Sequence, residues 1–406
     1  MLPYSPERAG IDKVILVALI LALVVAPFTI LTLWFAVEVL AGLQALPAKR
    51  QSQRTSSSAV IIVPAHDEAA VLPRTLPMLM DASRGIARVL VVADNCTDRT
   101  AAIAKEYGAE VIERLDTGRR GKGFALDFAK HHLQRRPADV VLIVDADCVI
   151  DGESISTLIA ACVSTGRPCQ ATNLQKPAPD ASPAVQLSTF AFYIKNVVRL
   201  RGLERLSGRA HLLGTGMAIP WKALAKVELA TSSIVEDLKL GQELAEHGYP
   251  PTLVETANVW SGAESDQNTL SQRRRWEGGF LANALRVGPT LFRASLRRGD
   301  FGGMLAALNL MTPPFALLLL LDLVALVSAA MITWATGAQS WPILVLAGSI
   351  MLACVGLALA WLGGGSRFVT LGSLLRAPFY LAWKLPMYLS FARHGAPKDW
   401  QRTGRN

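Results

Sequence analysis

The apolar residues of this chain follow two patterns that divide it into regions. Near the ends they form long continuous runs, Val14–Leu46, Phe315–Trp334 and Trp341–Leu362, and only Glu38 interrupts the first. Between about residues 59 and 265, short runs rich in Val and Ile alternate with stretches of helical character. About 20 consecutive apolar residues suffice to cross a bilayer. The pattern therefore predicts a soluble middle region between membrane-spanning ends.

These patterns predict six successive regions. They are an N-terminal transmembrane helix (1–46), a polar linker (47–58), a folded domain (59–270), interfacial helices (271–302), two transmembrane helices (303–362) and a basic amphipathic segment (363–406). We expect the first run to form one long helix, with a re-entrant hairpin that turns at Pro27 as the alternative. Residues 366–394 mix aromatic residues and leucines with Arg, Lys and Pro. That mixture favours an interfacial segment over a further C-terminal span.

The middle region has the pattern of alternating strands and helices. Strands are predicted at Ala59–Pro64, Arg88–Ala93, Glu110–Glu113 and Val140–Val144, with helices such as Thr100–Tyr107 between them. Short buried strands separated by helices are typical of an α/β domain with a doubly wound, largely parallel sheet. Ligands of such sheets bind beyond the carboxyl ends of the strands. The residues that follow these strands are therefore the first candidates for a site.

Charge assigns an orientation to the membrane-spanning regions. The formal net charge is +9, and the segment from Ser366 to Asn406 holds seven Lys or Arg residues but one acid, Asp399. Four arginines and no acid lie between Arg286 and Arg298. Basic flanks stay on the cytoplasmic side and attract anionic lipids. We therefore expect the middle domain in the cytosol, at the inner face of the cytoplasmic membrane, and expect no nucleic-acid partner because no basic, aromatic-rich stretch lies in that domain.

Two polar turns follow the first two predicted strands. The first strand runs into the sequence VIIVPAHDE, which ends at Glu68, and the second runs into VVADNCTDRT, where Asp94 and Asp98 flank a turn. An Asp at the end of a strand can accept a hydrogen bond from a ribose or a base. Helix capping by Asp98 or Thr97 explains part of the second turn equally well.

A glycine-rich basic loop, DTGRRGKGFAL at 116–126, precedes the next helix. Glycines allow the backbone to approach a ligand closely, and Lys122 offers a positive charge for a diphosphate. Because glycine turns with a lysine are common, the loop alone leaves both interpretations open.

The strand VVLIVDADCVI at 140–150 delivers two carboxylates, Asp145 and Asp147, to the carboxyl end of the sheet. Two carboxylates at this spacing repel each other unless a cation lies between them. Mg²⁺ and Mn²⁺ prefer such oxygen ligands and are often completed by substrate phosphates. The sequence thus predicts a divalent-metal site; an acidic surface turn is the alternative.

Two further elements complete the candidate chemistry. Glu236 and Asp237 begin a predicted helix, where acids are favoured by the helix dipole and where Asp237 is a candidate general base. The sequence QRRRW places Gln272, Arg275 and Trp276 on neighbouring faces of a later helix. An interfacial basic and aromatic helix is the alternative explanation for the second element.

Taken in order, these motifs resemble the family 2 inverting glycosyltransferases of GT-A fold, in particular the membrane-anchored branch with cellulose, hyaluronan and chitin-oligosaccharide synthases. The resemblance covers about residues 59–280. It implies that Glu68, Asp94 and Lys122, with Asp145, Gln272 and Arg275, bind a nucleotide-sugar donor such as a UDP-sugar. It further implies the following roles: Asp147 and Asp145 as ligands of Mg²⁺ or Mn²⁺, Gly214, Thr215, Gly216 and Trp276 on the acceptor side, and Asp237 as the general base.

The resemblance implies transfer of a sugar, with inversion, to a lipid-linked or glycan acceptor at the membrane. The QxxRW motif occurs in polymer-forming enzymes and in enzymes that add a single sugar to a lipid, but three predicted spans are too few to enclose a polar polymer. We therefore expect transfer of one sugar. The alternative is a processive synthase that exports a β-linked polymer, alone, as a homo-oligomer or with an export partner. The sequence departs from the family at His66, where an aromatic residue is common, and at Val235, where Thr is common. Two other classes of function are the alternatives. A nucleotidyltransferase would also use paired Asp residues but would not need Asp237 or the QxxRW motif. A non-catalytic membrane scaffold would leave the whole acidic set unexplained.

Overall fold

The structure, a computed structural model, describes residues 6–47, 57–231, 236–262, 277–282 and 284–395. Its centre is an eight-stranded sheet with the strand order β3-β2-β1-β4-β7-β6-β8-β5. The strands are β1 (Ala59–Ala65), β2 (Arg88–Asp94), β3 (Glu110–Arg114), β4 (Val140–Ile143), β5 (Cys148–Ile150), β6 (Cys169–Lys176), β7 (Met217–Pro220) and β8 (Thr252–Gly262).

The sheet is parallel in its first half and mixed in its second half. Strands β1, β2, β3 and β4 pair in parallel, as the sequence predicts. Beyond β4 the sheet departs from a largely parallel one, because β4–β7, β6–β7 and β5–β8 are antiparallel pairs while β6–β8 is parallel. No strand was predicted after Val144. Strands β5 and β7 have only three and four residues, and the longer strands β6 and β8 carry polar residues in place of a Val and Ile run.

Helices pack on both faces of the sheet. In the soluble part they are α2 (Leu72–Ala82), α3 (Thr100–Glu106), α4 (Lys122–Leu133), α5 (Gly152–Thr165), α6 (Pro183–Tyr193), a π-helix (Ile194–Arg199), α7 (Leu200–Ser207), α8 (Trp221–Leu224) and α9 (Glu236–Glu246). Alternate residues of each strand face opposite ways. In β1, Ile61 contacts the side that α2 and α5 cover, whereas Ile62 contacts the side that α4 and α9 cover.

The terminal regions are helical. They contain α1 (Pro6–Ala41), α10 (Gly288–Arg297), α11 (Phe301–Met311), α12 (Phe315–Thr336), α13 (Trp341–Leu362), a short 3-10 turn (Gly365–Arg367), α14 (Leu371–Leu374) and α15 (Ala377–His394). Three segments of the described chain, Asp12–Ala41, α12 and α13, are long and apolar enough to cross a membrane. The first is one continuous helix that passes through Pro27. Helix α15 lies in the region for which we expected an interfacial segment.

Glu38 attaches α1 to the soluble domain. Its carboxylate is fully buried, forms an ion pair with Arg199 of the π-helix at 2.7 Å and accepts a hydrogen bond from Asn309 Nδ2 at 2.6 Å. At Gly202 a Cβ would lie 2.0 Å from the Glu38 carbonyl oxygen, so only glycine allows this approach of the two helices. Glu38, the one charge that interrupts the first apolar run, thus holds the N-terminal helix against the π-helix and α11.

A second acid in an apolar segment also faces protein. Asp322 of α12 is fully buried and accepts a hydrogen bond from Thr32 of α1 at 2.7 Å. A carboxyl group in an apolar span is costly unless it finds such a partner. This bond fixes α12 against α1.

Candidate active site

One continuous cavity of about 620 Å³ extends from the carboxyl ends of β1, β2 and β4 to the apolar terminal helices. Its walls contain most of the described residues that the sequence analysis selected. These are Glu68, Asp94, Lys122, Asp145, Asp147, Gly214, Thr215 and Asp237. After the roles that the sequence resemblance implies, we call the end near β1, β2 and β4 the donor side and the end near the terminal helices the acceptor side.

Asp145 and Asp147 lie close together just beyond β4. Ligand atoms of Asp145, Asp147 and Cys148 all lie within 4.8 Å of one another. Burial, followed by the two nearby carboxylates, raises the pKa of the Cys148 thiol well above its usual value, so sulfur stays protonated. The available donors are therefore carboxylate oxygens, which fit a hard cation such as Mg²⁺ or Mn²⁺.

Lys122 supplies the charge opposite Asp145. Its ammonium group forms an ion pair with Asp145 and donates a hydrogen bond to the Gly214 carbonyl oxygen at 2.8 Å. Burial opposes the charge on Lys122, but Asp145 and Glu236 outweigh it and raise the pKa of the lysine. Lys122 thus joins the glycine-rich loop, the Asp145 strand and the Gly214 turn.

The glycines of the basic loop allow a turn and a close contact within the protein backbone. Gly121 has φ +129 at the start of α4. At Gly123 a Cβ would lie 2.7 Å from the carbonyl oxygens of both Leu229 and Thr231. The close approach that we expected toward a ligand is therefore, at Gly123, an approach of α4 to the 229–231 segment.

The turn Gly214–Thr215–Gly216 is fastened to the end of β4. Thr215 Oγ1 accepts a hydrogen bond from the Asp145 amide at 3.1 Å. Gly214 has φ +85, and a Cβ there would lie 3.4 Å from Asp237 Oδ2. At Gly216 a Cβ would instead lie 2.6 Å from Val259 in the core. Gly214 and Thr215 therefore form part of the cavity wall, while Gly216 packs against the sheet.

Two acids begin α9 and face the same space. Burial, followed by the neighbouring Asp237, raises the pKa of Glu236 to about 8. Burial also raises the pKa of Asp237, although the Leu238 amide, Lys122 and Lys195 oppose that shift. A carboxylate with a raised pKa accepts a proton more readily, which is the property of a general base near neutral pH.

Asp94 has an ion-pair partner that was not predicted from the sequence. Its carboxylate is buried and forms an ion pair with Arg114 Nη1 at 2.6 Å. Arg114 lies at the end of β3, and β3 pairs with β2 through Asp94 and Arg114. The pairing of adjacent strand ends could have indicated this contact.

The PAHDE turn packs against the second turn. The Glu68 amide donates to Thr100 Oγ1 at 2.7 Å, and the His66 ring Nδ1 lies 2.7 Å from the Asp94 carbonyl oxygen. Asp67, at φ +52, accepts the Thr97 amide at 2.6 Å. The acids Asp67 and Asp98 with Cys96 could hold an ion by distance, but their carboxylates are used by backbone amides of the two turns.

Gln272, Arg275 and Trp276 of the QxxRW motif lie outside the described residues. The next residue, Glu277, is buried, pairs with Lys384 of α15 and accepts a hydrogen bond from Tyr388 at 2.7 Å. Helix α15 thus holds the chain immediately after the motif.

Several polar residues on the acceptor side carry no recognisable motif in the sequence. Lys195, Asn196 and Arg199 come from the π-helix, and His211 precedes the Gly214 turn. A π-helix is rare and often marks a functional site. Its hydrophobic pattern does not distinguish it from an ordinary helix.

Comparison with known proteins identifies a sequence family. Residues 58–279, more than half of the chain, match the family described as "Glycosyltransferase like family 2". A 4,4'-diaponeurosporenoate glycosyltransferase of Staphylococcus haemolyticus is 30% identical over 109 residues. That alignment covers 26% of this chain and 28% of the relative, so the chain spans well under a third of the relative's length.

Solved structures identify the fold. The mannosyltransferase PcManGT of Pyrobaculum calidifontis, in complex with GDP-Man and Mn²⁺, superposes with a TM-score of 0.54 over 85% of this chain and 97% of its own, at 17% identity. A glucosyl-3-phosphoglycerate synthase of Mycobacterium tuberculosis, in complex with Mn²⁺, UDP and phosphoglyceric acid, superposes at 0.39 over 59% of this chain and 84% of its own, at 16% identity. The first similarity shows that the GT-A architecture is shared.

Proposed function

The chain belongs to the glycosyltransferase-like family 2, and we propose that it transfers one sugar from a nucleotide-sugar donor to the hydroxyl of a lipid-linked or glycan acceptor. The donor we propose is a UDP-sugar. One observation carries the proposal: Asp145, Asp147, Lys122 and Asp237 line a single cavity. That arrangement places candidate diphosphate-binding groups and a candidate base around one space.

In the proposed reaction the acceptor oxygen attacks the anomeric carbon while the bond to the diphosphate breaks. Asp237 accepts the hydroxyl proton, and the product has the opposite anomeric configuration to the donor. No covalent enzyme intermediate is needed. Lys122 positions Asp145 and the Gly214 turn through its ion pair and hydrogen bond.

Asp147 and Asp145 would hold the divalent cation. When bound, such a cation supplies positive charge that stabilises the leaving diphosphate. Among the described residues, Lys122 is the cation adjacent to this pair, and Arg275 is assigned to the diphosphate only by the family motif. The proposal for Glu68, Asp94 and Gln272 is likewise donor binding, and for Gly214, Thr215 and Trp276 acceptor binding. Gly216, which the sequence motif also suggested for the acceptor, packs against Val259 and supports the turn instead.

Three apolar helices of the described chain and the basic flanks support a membrane location. We propose that the active site faces the cytosol and that the loop between α12 and α13 faces outward. A cysteine at Gln339 should then react with an impermeant maleimide in intact cells, and one at Gln401 should not. Both single-cysteine variants need a cysteine-free background, and the opposite labelling pattern would contradict this orientation.

Transfer of one sugar is favoured over polymer export by the number of candidate spans. A polar polymer must be enclosed by helices while it crosses about 30 Å of hydrocarbon, and the described chain has three candidate spans. A homo-oligomer or an export partner could complete such a channel. Processive synthesis of a β-glycan therefore remains the second candidate.

A donor panel tests the proposed function. Purified protein in neutral detergent is supplied with Mn²⁺ and, one at a time, UDP-, GDP-, dTDP- and CMP-sugars, and the released nucleotide is identified. We expect release of a nucleoside diphosphate from one donor, stimulated by a membrane lipid extract. Release of pyrophosphate would indicate a nucleotidyltransferase, and failure to consume any donor would contradict the proposal.

A further inference from the structure

The acceptor side of the cavity carries buried polar atoms that lack a partner. Among the described residues, the Asn173 Oδ1, Asn196 Oδ1, His211 Nε2 and Tyr380 hydroxyl groups make no hydrogen bond, and all four residues line this cavity. Asn173, Asn196 and Tyr380 are only 8%, 4% and 8% exposed. A buried polar group that makes no hydrogen bond destabilises the folded protein unless a ligand satisfies it. Four such groups around one cavity indicate a polar ligand that completes their hydrogen bonds.

These groups lie near the candidate base. Asn196 is adjacent in the π-helix to Lys195, whose charge is close enough to lower the pKa of Asp237 and of His211. Burial is the larger influence on His211 and lowers its pKa to about 4, so its ring is neutral at neutral pH. The unpartnered atoms are therefore two amide oxygens, one nitrogen of a neutral imidazole and a phenol hydroxyl, which match hydroxyl groups.

The cations on this side are matched by carboxylates. In the described part of the chain, Arg199 pairs with Glu38 and Lys384 with Glu277. The positive charge of Lys195 acts on the carboxylate of Asp237, and Lys195 Nζ lies 4.9 Å from the centre of the Phe280 ring. A phosphate that entered this space would lose its hydration, and no unpaired cation among the described residues on this side would compensate for that cost. The charge pattern therefore disfavours an anionic head group.

Beyond the polar groups the cavity wall becomes apolar. It contains Phe190 of α6, Phe315 and Leu319 of α12, and Leu357 of α13. Helices α12 and α13 are two of the three candidate membrane spans in the described part of the chain. A hydrocarbon chain could therefore extend from the polar groups toward the membrane without leaving apolar surroundings.

On the basis of the proposed function, we infer that the acceptor is an uncharged lipid. Its hydroxyl-bearing head binds among Asn173, Asn196 and His211, and its hydrocarbon chain lies along Phe190 and Phe315. A lipid phosphate is disfavoured as the acceptor because Arg199 and Lys384, cations of this side in the described part of the chain, already have carboxylate partners.

A pair of lipids that differ by one phosphate tests this inference. The probes are 1-oleoylglycerol and 1-oleoylglycerol 3-phosphate, which share the chain and a free hydroxyl, and binding to the purified protein in neutral detergent is measured by microscale thermophoresis. We expect the uncharged lipid to bind at least about tenfold more tightly. Equal binding, tighter binding of the phosphate, or binding of neither lipid would overturn the inference.

Variants separate a ligand role from a structural role. Asn196→Leu should weaken binding of 1-oleoylglycerol about tenfold and should not lower the thermal midpoint, since its side-chain oxygen has no partner to lose. Asn258→Leu is the matched control: Asn258 accepts a hydrogen bond from Thr172 at 2.6 Å and is absent from the cavity wall, so it should lower the midpoint without weakening lipid binding. Unchanged lipid binding in Asn196→Leu, or equal loss in both variants, would contradict the site.

A gain of function sharpens the test. Asn196→Lys adds an unmatched cation, so it should improve binding of the phosphate lipid relative to the uncharged one, and failure to shift this ratio would contradict the charge argument. These measurements need no sugar donor. If no donor is consumed while the uncharged lipid is still preferred, the proposed transfer is wrong and the lipid site stands. If a donor is consumed but the uncharged lipid is not preferred, the lipid site alone is rejected.

Discussion

The two sides of the cavity differ in how their polar groups are satisfied. On the donor side, Asp94 pairs with Arg114 and Asp145 with Lys122, and the turns are closed by hydrogen bonds to backbone amides. On the acceptor side, Asn196 and its neighbours line the cavity with buried atoms that have no partner. A site built from paired charges is ordered before its ligand arrives, whereas unpartnered groups are completed by the ligand. The difference separates a proposed donor site built from the family motifs from a proposed acceptor site built from residues outside those motifs.

The largest expected effect falls on the donor side. Asp147→Ala should reduce transfer about a thousandfold or more, because the developing diphosphate charge loses several kcal/mol of stabilisation. The rate with the selected donor and Mn²⁺ measures this.

The matched control for Asp147→Ala is Asp151→Asn. Asp151 lies nearby and caps α5 by accepting the Ser154 amide at 2.7 Å, and Asn preserves such a cap while removing the charge. Its rate should stay close to that of the wild type. Near-normal activity of Asp147→Ala, or full activity in excess chelator, would contradict the metal assignment.

The next effect falls where the two sides meet. Asp237→Asn removes a candidate base with little change of volume, so transfer should fall about a hundredfold to ten-thousandfold while donor affinity, measured by calorimetry, is retained. Glu236→Gln is the matched comparison at the adjacent position, and we expect it to lose less than about tenfold. If donor affinity is lost together with turnover, Asp237 belongs to the donor site; a larger loss in Glu236→Gln would move the base to Glu236.

The smallest expected effect is on stability. Because burial and Asp237 raise the pKa of Glu236 to about 8, the folded state binds this proton more tightly than the unfolded state. The stabilisation is present at low pH and is lost as pH rises toward and through the folded pKa. Glu236→Gln cannot ionise, so its thermal midpoint should exceed that of the wild type by a margin that grows from pH 5 to pH 9.

Thermal unfolding without metal or donor measures that margin. Asp237→Asn serves as the comparison, since it removes the neighbouring charge and should lower the pKa of Glu236. A margin that shrinks with rising pH would show that Glu236 is not destabilised by ionisation.

The sequence predicted the donor side better than the acceptor side for physical reasons. Uninterrupted Val and Ile runs located β1, β2 and β4, and parallel strands bring the residues at their carboxyl ends together. Asp94, Asp145 and Lys122 could thus be grouped from the hydrophobic pattern and the order of the strands. The pairing of Lys122 with Asp145 was not predicted, because it depends on where the helix after the glycine-rich loop begins.

The acceptor side depends on contacts between distant segments. In the sequence, Glu38 is a single charge within an apolar run. Its partners Arg199 and Asn309 are more than 150 residues away, so the pairing could not be predicted. The π-helix and the unpartnered atom of Asn196 have no periodic signal. Antiparallel strand β7 was missed for a similar reason, since its four residues obtain their pairing from β4 and β6.

The most direct test of the central claim is the mass of the product. Purified protein receives the donor selected by the panel, labelled in its sugar, and a membrane lipid extract, and the products are resolved by mass spectrometry. We predict an organic-soluble lipid heavier by one sugar residue, formed with release of one nucleoside diphosphate and reduced at least about a hundredfold with Asp237→Asn. A ladder or high-mass polymer, or label found only in water-soluble products, would contradict transfer of one sugar to a membrane acceptor.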